Sequence, residues 1–479
     1  MNMHCTDLTW NPGFSLRYFC ILKHLKAVLC GYYRSYYSLL FLTFFTYASS
    51  LAQVIYVSPN GNGNGSTWAQ ASNIYDALDN ASENSELWLR RGVYTLDEEL
   101  TLPSTDISVY GGFRGTESTR NQRNFENNKT ILDGQNSTRI LYLDRDDFTI
   151  DGVTFRNGYI GLEDPGDGNK GGGAIYVWSA DNSIIRNCTF LNNVSEGDRG
   201  AGAVYNRHGD NTLIENCTFD NNRFQSYPHD SNGGGAIHNW TDGLTIKNTV
   251  FRNNSSHRPG GAIYTWGYPV IIENCEFEDN HTGQRGGAIY DNSGSIIRIT
   301  NSLFVNNSAS DEGGAISTRD KLEISNSTFV NNNNTAVTYH SYSFSPGHVF
   351  IYNSIFFNNS PKGSLDPDIA SSTLNTEATV LDIRRNIVKA FSEGTNNLIN
   401  VNPLFVDSSN GNYRLQSGSP ARDAGNINLY NDISGTPAGA SNDLDERNRV
   451  FNGILDYGAY EYQTHINCTT ITRPEGGAD

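Results

Sequence analysis

Between residues 136 and 360 the apolar positions fall in short runs alternating with polar ones, and the runs return at a long, nearly constant interval. Ile185, Ile214, Ile246, Ile272, Ile299, Ile324 and Ile351 each stand five residues before a Phe. The position after each Ile carries Arg186, Glu215, Lys247, Glu273, Thr300, Ser325 or Tyr352. A period of two over so few residues predicts a half-buried strand, and no helical period runs through the stretch. Two signatures frame these strands. G-A-I/V occurs at Gly173–Ile175, Gly202–Val204, Gly235–Ile237, Gly261–Ile263, Gly287–Ile289 and Gly314–Ile316, with its Ala residues 26 to 33 apart. N-x-x-F-x-x-N occurs at Asn187–Asn193, Asn216–Asn222, Asn248–Asn254, Asn274–Asn280, Asn301–Asn307, Asn326–Asn332 and Asn353–Asn359. A repeat of this length, with an apolar face it cannot bury alone, predicts a stacked solenoid. Stacking in register at about 4.8 Å places Ile on Ile and Phe on Phe. The expected fold is therefore all-β, a right-handed parallel β-helix with one coil per repeat.

The polar slots fit the same architecture. An inward Asn can bond backbone groups that the turns leave without ladder partners. Gly-Gly before each Ala supplies a tight bend with positive φ. The ends depart from the repeat, as solenoid ends do. Residues 53–135 read as an N-terminal cap and first irregular rungs; in them Ile74, Ala77, Leu78 and Ala81 predict a short amphipathic helix over the open core. Residues 136–360 are the regular coils. Residues 361–434 read as degenerate rungs in which ATVLDIRRNIV, NLINVNPLF and NYRL continue the coil, and 435–479 as a turn-rich tail wrapping the C-terminal end.

Composition narrows the class. Of 479 residues 47 are Gly, 18% are charged and 37% hydrophobic, which suits neither a disordered chain nor a helical one. A formal charge of −17 excludes a nucleic-acid partner that needs a basic face. Residues 38–52, SLLFLTFFTYASSLA, follow Lys23, Lys26 and Arg34 and end in small residues. They read as a secretory signal within 1–52, cleaved after Ala52, with an over-extended start upstream. The run is shorter than the ~20 residues of a membrane span, so no transmembrane span is expected in the mature chain. Cys5, Cys20 and Cys30 fall in that leader. Cys188, Cys217 and Cys275 share one repeat slot, where a buried reduced thiol is expected. Cys468 stands alone, and no metal-ligand spacing is present.

The alternating G-G-A-I and F-x-x-N motifs over roughly 150–360 resemble the repeats of chlamydial polymorphic outer-membrane proteins, surface β-helices with adhesive roles. The chain departs from that pattern in showing no C-terminal membrane β-barrel of alternating strands. The flanks are similar to a wider group of exported bacterial β-helix proteins with the pectate-lyase-like fold. The matching stretches are VYGGFRGTE at 109–117, TILDG at 130–134, NPLFVD at 402–407, NYRLQSGSPARDAGN at 412–426 and DYGAYEY at 456–462. The resemblance implies fold and export to the outside or surface of a Gram-negative cell; it does not fix an activity.

Three features carry candidate chemistry. One slot after G-A-I/V holds Tyr176, Tyr205, His238, Tyr264 and Tyr290, and two residues on come Trp178, Arg207, Trp240 and Trp266. With Ile inward, both slots point outward, and exposed rings in a column suit the apolar faces of sugars. The variable loops hold Glu196, Asp198, Arg199, Tyr227, His229, Asp230, His257, Arg258, His281 and Arg285. A lyase on an acidic polysaccharide needs a cation at the uronate and a base for its C5 proton. Arg258 or Arg285 would serve as the first, His257 or His281 as the second, with His229 and Asp230 nearby; ordinary polar loop tips are the plainer reading. The acidic turns 163–169 and 442–448 offer oxygens to Ca²⁺ but fit no calcium-loop pattern, so no cofactor is expected. P-loop, dinucleotide and G-x-S-x-G motifs are absent from the sequence.

The leading expectation is a secreted or cell-surface protein that binds a carbohydrate or adheres to another surface. A polysaccharide lyase on the same face is the alternative, and a structural stalk the second. The sequence leaves the oligomeric state open.

Overall fold

The computed structural model describes residues 53–161, 171–197, 200–225, 232–292, 296–319, 321–340, 347–363, 365–371, 380–390, 394–434 and 441–463. The leader 1–52, the turn 163–169, Asp198, Arg199, Tyr227, His229, Asp230 and Cys468 lie outside them. The strands stack into three long parallel sheets, A and B of 12 strands and C of 10, and a narrow sheet D of six two-residue strands. One rung runs Ile184–Arg186 (A), Thr189–Leu191 (B), Val194–Ser195 (D) and Val204–Asn206 (C), then returns to A at Leu213–Glu215. The chain is a right-handed parallel β-helix. Among the described residues no helix is long and apolar enough to cross a membrane.

The repeat residues occupy the places their periodicity predicts. Ile185 pairs with Ile214, and Phe190 with Phe219, each in register with the next rung. Eight Phe rings from Phe155 to Phe356 stack face to face, with centroids 4.4 to 5.0 Å apart and planes within 7°. Two residues in each N-x-x-F-x-x-N repeat, Asn in all but Asp279, turn the corners in the left-handed region, such as Asn187 (φ 53) between sheets A and B and Asn192 (φ 57) between B and D. Asn tolerates that region better than other non-Gly residues. The next Asn points inward. Asn222 donates through Nδ2 to the Phe190 carbonyl (3.0 Å) and to Asn254 Oδ1 (3.0 Å), and its own Oδ1 receives the Asn193 backbone N–H (3.1 Å). This ladder repeats from Asn193 to Asn359, every member buried. The second Gly of each Gly-Gly pair has no room for a side chain: a Cβ on Gly261 would lie 1.9 Å from the Gly287 carbonyl oxygen of the next rung. Cys188, Cys217 and Cys275 are free thiols in the core.

At the N-terminal end α1 (Ile74–Asp79) starts on an Asn73 cap and buries Ile74, Ala77 and Leu78 against the first rungs. It closes the apolar column as expected. Beside it Trp68, Trp88, Tyr56 and Phe113 form a separate aromatic cluster, with Trp88 stacked on Phe113 at 4.7 Å.

The C-terminal part corrects the sequence reading. Ile369–Ser371, Val380–Arg384, Ile387–Val388 and Leu398–Ile399 continue the parallel sheets. The segments PLF and NYRL do not; Phe405–Asp407 and Asn412–Leu415 pair as an antiparallel hairpin off the coil. The described tail lies along the side of the helix, not over its end. Phe405, Tyr413, Tyr457 and Tyr460 cover Leu303, Val305, Val330 and Ile355 on the outer face of sheet B. The second helix, α2 (Ile427–Ser434), packs Leu429 and Ile433 on Tyr352 of sheet A. The corner Asn residues, exposed at 216 and 248, are here buried and hold the tail: Asn301 bonds Tyr430 (2.9 Å), Asn326 the Asp456 carbonyl (2.7 Å) and Asn353 the Asn426 carbonyl (3.1 Å). Arg449, with no exposure, donates to the carbonyls of Asp456 (3.1 Å) and Gly458 (2.7 Å).

Candidate functional site

The outer face of sheet C carries both expected ring columns, with different fates. The inner one is buried: Tyr176 is 2% exposed, Tyr205 1%, His238 0%, Tyr264 0% and Tyr290 4%. Its members lie against one another, Tyr176 on Tyr205 at 5.2 Å and His238 against Tyr264 at 4.6 Å. Arg139, paired with Glu99 (2.9 Å), covers Tyr176 from 5.0 Å. The backbone of the Gly-rich entry loop closes over Tyr205, so that a Cβ on Gly200 would meet its ring at 2.9 Å. These five rings are therefore a covered layer, and the expectation that they present faces to a ligand is corrected. Burial accordingly pushes the Tyr176 and Tyr264 hydroxyls well above their ordinary pKa.

The outer column remains at the surface. Trp240 is 37% exposed and Trp266 39%, and their indoles stack at 5.3 Å and 11°. One rung earlier the Arg207 guanidinium lies 4.7 Å over the Trp178 ring. Rings stacked along the helix axis cover one another's faces and turn their edges outward. No ring stacks on the face of Trp266 away from Trp240 among the described residues. The next residue in the column, Asn292, turns its amide to the Tyr264 hydroxyl (3.0 Å), and the Trp266 indole N–H also donates there. Tyr268, 56% exposed, extends the aromatic surface onto the corner with sheet A. The column continues through Arg319 and His340, which register with one another. Neither is among the expected residues, although Arg319 follows Gly314–Ile316 by three and His340 stands in the same slot after Thr335–Val337, where the motif has lost its Gly.

The described loop candidates lie on or next to neighbouring rungs of sheet D, and His229 and Asp230 lie outside the described residues. His281 is exposed on sheet D and its Nδ1 meets the Ser308 hydroxyl (2.9 Å). His257 is exposed one rung away and Arg258 half-buried, its carbonyl accepting from the Thr282 hydroxyl. Arg285 pairs with Glu312 (3.1 Å), and His340 reaches the same carboxylate oxygen (2.9 Å). Burial pushes the Glu312 pKa up, but His340 and the Arg285 charge outweigh it and hold the carboxyl below its usual range. Ser317 lies 3.4 Å from that histidine. Serine and glutamate thus both meet Nε2, whereas a proton relay needs them on opposite nitrogens. Glu196 accepts from the Tyr159 hydroxyl (2.8 Å).

Among the described residues no three His, Cys, Asp or Glu side chains come together to hold a metal. In the turn 442–448, Asp443 receives the backbone N–H groups of Asp445, Arg447 and Glu461 (2.8 to 3.0 Å), and Asp445 pairs with Arg414. Those carboxylates are committed to holding the tail. Two concavities stand out, an open one of about 380 Å³ lined by residues 425–428 and 453–455, and a void of about 20 Å³ beneath α1; neither reaches the ring columns or the loop histidines.

Comparison with known proteins agrees with the architecture. Residues 173–356 match the family described as a right handed beta helix region. No curated protein sequence matches the chain. Among solved structures, the pectate lyase Pel9A is 14% identical, with a TM-score of 0.49, over 86% of this chain and 97% of that one. A PL6 family polysaccharide lyase from Pseudopedobacter saltans is 14% identical over 78% and 99%, with a TM-score of 0.40. An exopolygalacturonase from Thermotoga maritima is 9% identical over 71% and 88%, with a TM-score of 0.38.

Proposed function

We propose that this chain is an exported, surface-associated β-helix of a Gram-negative bacterium that binds carbohydrate along the outer column of sheet C. The observation that carries the reading is the Trp240–Trp266 pair. Among the described Phe, Tyr and Trp rings these two indoles, with 37% and 39% of their surface in solvent, and Tyr268 beside them with 56%, are the exposed ones. Exposing that much aromatic surface costs hydrophobic burial, and a sugar packing its C–H face on Trp266 and its edges along the strip would recover it. The pairing of Arg285 with Glu312 argues against Arg285 as the cation of a lyase, because a neutralised guanidinium is a poor partner for a uronate. A glycan array, followed by titration of tryptophan fluorescence, tests the reading. Binding to one glycan class, weakened at least about tenfold by Trp240→Ala with Trp266→Ala, is the expected result. Silence across the array would leave a structural stalk as the better account.

A further inference from the structure

A second column runs beside the tryptophans, at the corner between sheets C and A. Asp146, Asp181, Asp210 and Asp242 occupy one slot on four successive rungs, all exposed. Each sends Oδ1 to the backbone N–H of the next rung: Asp146 to Asp181 (2.9 Å), Asp181 to Asp210 (2.9 Å), Asp210 to Asp242 (3.0 Å) and Asp242 to Tyr268 (3.1 Å). The column therefore ends on the exposed ring beside Trp266. None of the four forms an ion pair among the described residues. The nearby bases are engaged: Arg145 pairs with Asp144 (3.0 Å) and Arg207 lies on Trp178. Partial burial, and then Arg207, lower the pKa of His208, which disfavours its cationic form. Like charges one rung apart, about 4.8 Å, repel, and the four carboxylates outnumber the Arg145 and Arg207 charges beside them.

We infer that the strip selects a glycan bearing protonated amino groups, an amino-sugar polymer lying along the helix axis, and rejects polyuronates. The inference rests on the carbohydrate reading above and adds the sign of the ligand's charge. An extended chain of β-1,4-linked sugars advances by nearly one rung per unit and turns over at each unit, so alternate ammonium groups meet carboxylates on alternate rungs while the sugars run along the outward edges of the indoles. A uronate chain would bring carboxylates to the same column.

The test titrates the protein with hexamers of glucosamine, N-acetylglucosamine and galacturonate, and with hexalysine, at about pH 6 and low salt, where amines are protonated. Glucosamine hexamer should bind about tenfold tighter than its acetylated form, and galacturonate hexamer should not bind. Asp181→Asn/Asp210→Asn/Asp242→Asn, which keeps the oxygen that accepts each backbone N–H, should erase the preference and spare the acetylated ligand. Circular dichroism of that variant should match the parent. Equal affinity for the two hexamers, or tighter binding of galacturonate, overturns the inference and leaves the carbohydrate reading intact. Binding of hexalysine as tight as that of glucosamine hexamer, and unaffected by Trp240→Ala, overturns it as charge attraction alone. No binding of any sugar removes the carbohydrate reading and this inference with it.

Discussion

Asn306 and Asn307 are neighbours in sequence and the same residue type, yet the structure uses them for opposite reasons, and mutation should separate them. Asn307 is fully buried. Its Nδ2 donates to the Phe277 carbonyl (2.9 Å) and to Asn332 Oδ1 (3.0 Å), and its Oδ1 receives the backbone N–H (3.1 Å) and the side-chain amide (3.0 Å) of Asn280. Asn307→Ala leaves the Asn280 N–H buried without that partner, at a cost of about 1–3 kcal/mol, and removes three further bonds that are each worth about 1 kcal/mol net. The groups that keep a second partner soften the loss, and about 3 kcal/mol is expected. Asn306 is exposed and sits at φ 54. Asn306→Ala removes the short polar side chain that makes the left-handed region tolerable, for about 1 kcal/mol, while Asn306→Gly should cost almost nothing. Urea unfolding followed by circular dichroism reads the differences as shifts in midpoint at constant slope. An Asn307→Ala loss no larger than that of Asn306→Ala would refute the ladder as a source of stability. So would an Asn306→Gly loss matching it.

Other consequences are as direct. Gly261→Ala places a methyl carbon 1.9 Å from a backbone oxygen that cannot move without opening the next rung; more than about 3 kcal/mol should be lost, and a melting curve like the parent's would contradict the packing. Tyr264→Ala should destabilise by about 3–5 kcal/mol and Trp266→Ala by under about 2, the reverse of their effects on glycan binding; equal losses in thermal unfolding would mean the two columns are not differently buried. Burial, with Asp456 nearby, holds Glu461 at about 8, and burial holds Asp368 at about 6, so the folded chain keeps protons that the unfolded chain releases near pH 4. The stability these two contribute is full below that pH and falls as pH rises toward 8. Asp151, Glu312 and Glu323 lie below their usual pKa because paired cations outweigh their burial, and their contribution is instead lost as pH falls below about 4. The melting temperature should peak between about pH 4 and 6, and Glu461→Gln should flatten the decline up to pH 8; an unchanged slope would show that Glu461 does not titrate there.

What the sequence could and could not disclose follows from the range over which each feature is determined. The coils were legible because an inward Ile or Phe meets only its own kind one repeat away, so period alone places it. The burial of Tyr176 to Tyr290 was not, because an outward residue is covered or bare according to loops whose length varies from rung to rung and carries no pattern. The lateral course of the tail did leave a trace. The outer slots of sheet B hold at most one apolar residue per strand from Thr189 and Leu191 to Glu276 and Glu278, and then both turn apolar at Leu303 and Val305. An outward slot that turns apolar part way along a solenoid has to be covered by something outside the repeat, and the apolar Phe405 and Tyr413 were at hand to cover it. The aspartate column was equally open to view, four residues before each stacked Ile from Ile150 to Ile246. Its neighbours in sequence are turn residues, where Asp is unremarkable; only the stacking of four rungs makes a line of charge out of what each repeat presents as an ordinary corner. In a solenoid, then, the unit that carries chemistry is the column, and a candidate residue is best judged by what stands in its slot one repeat before and one repeat after.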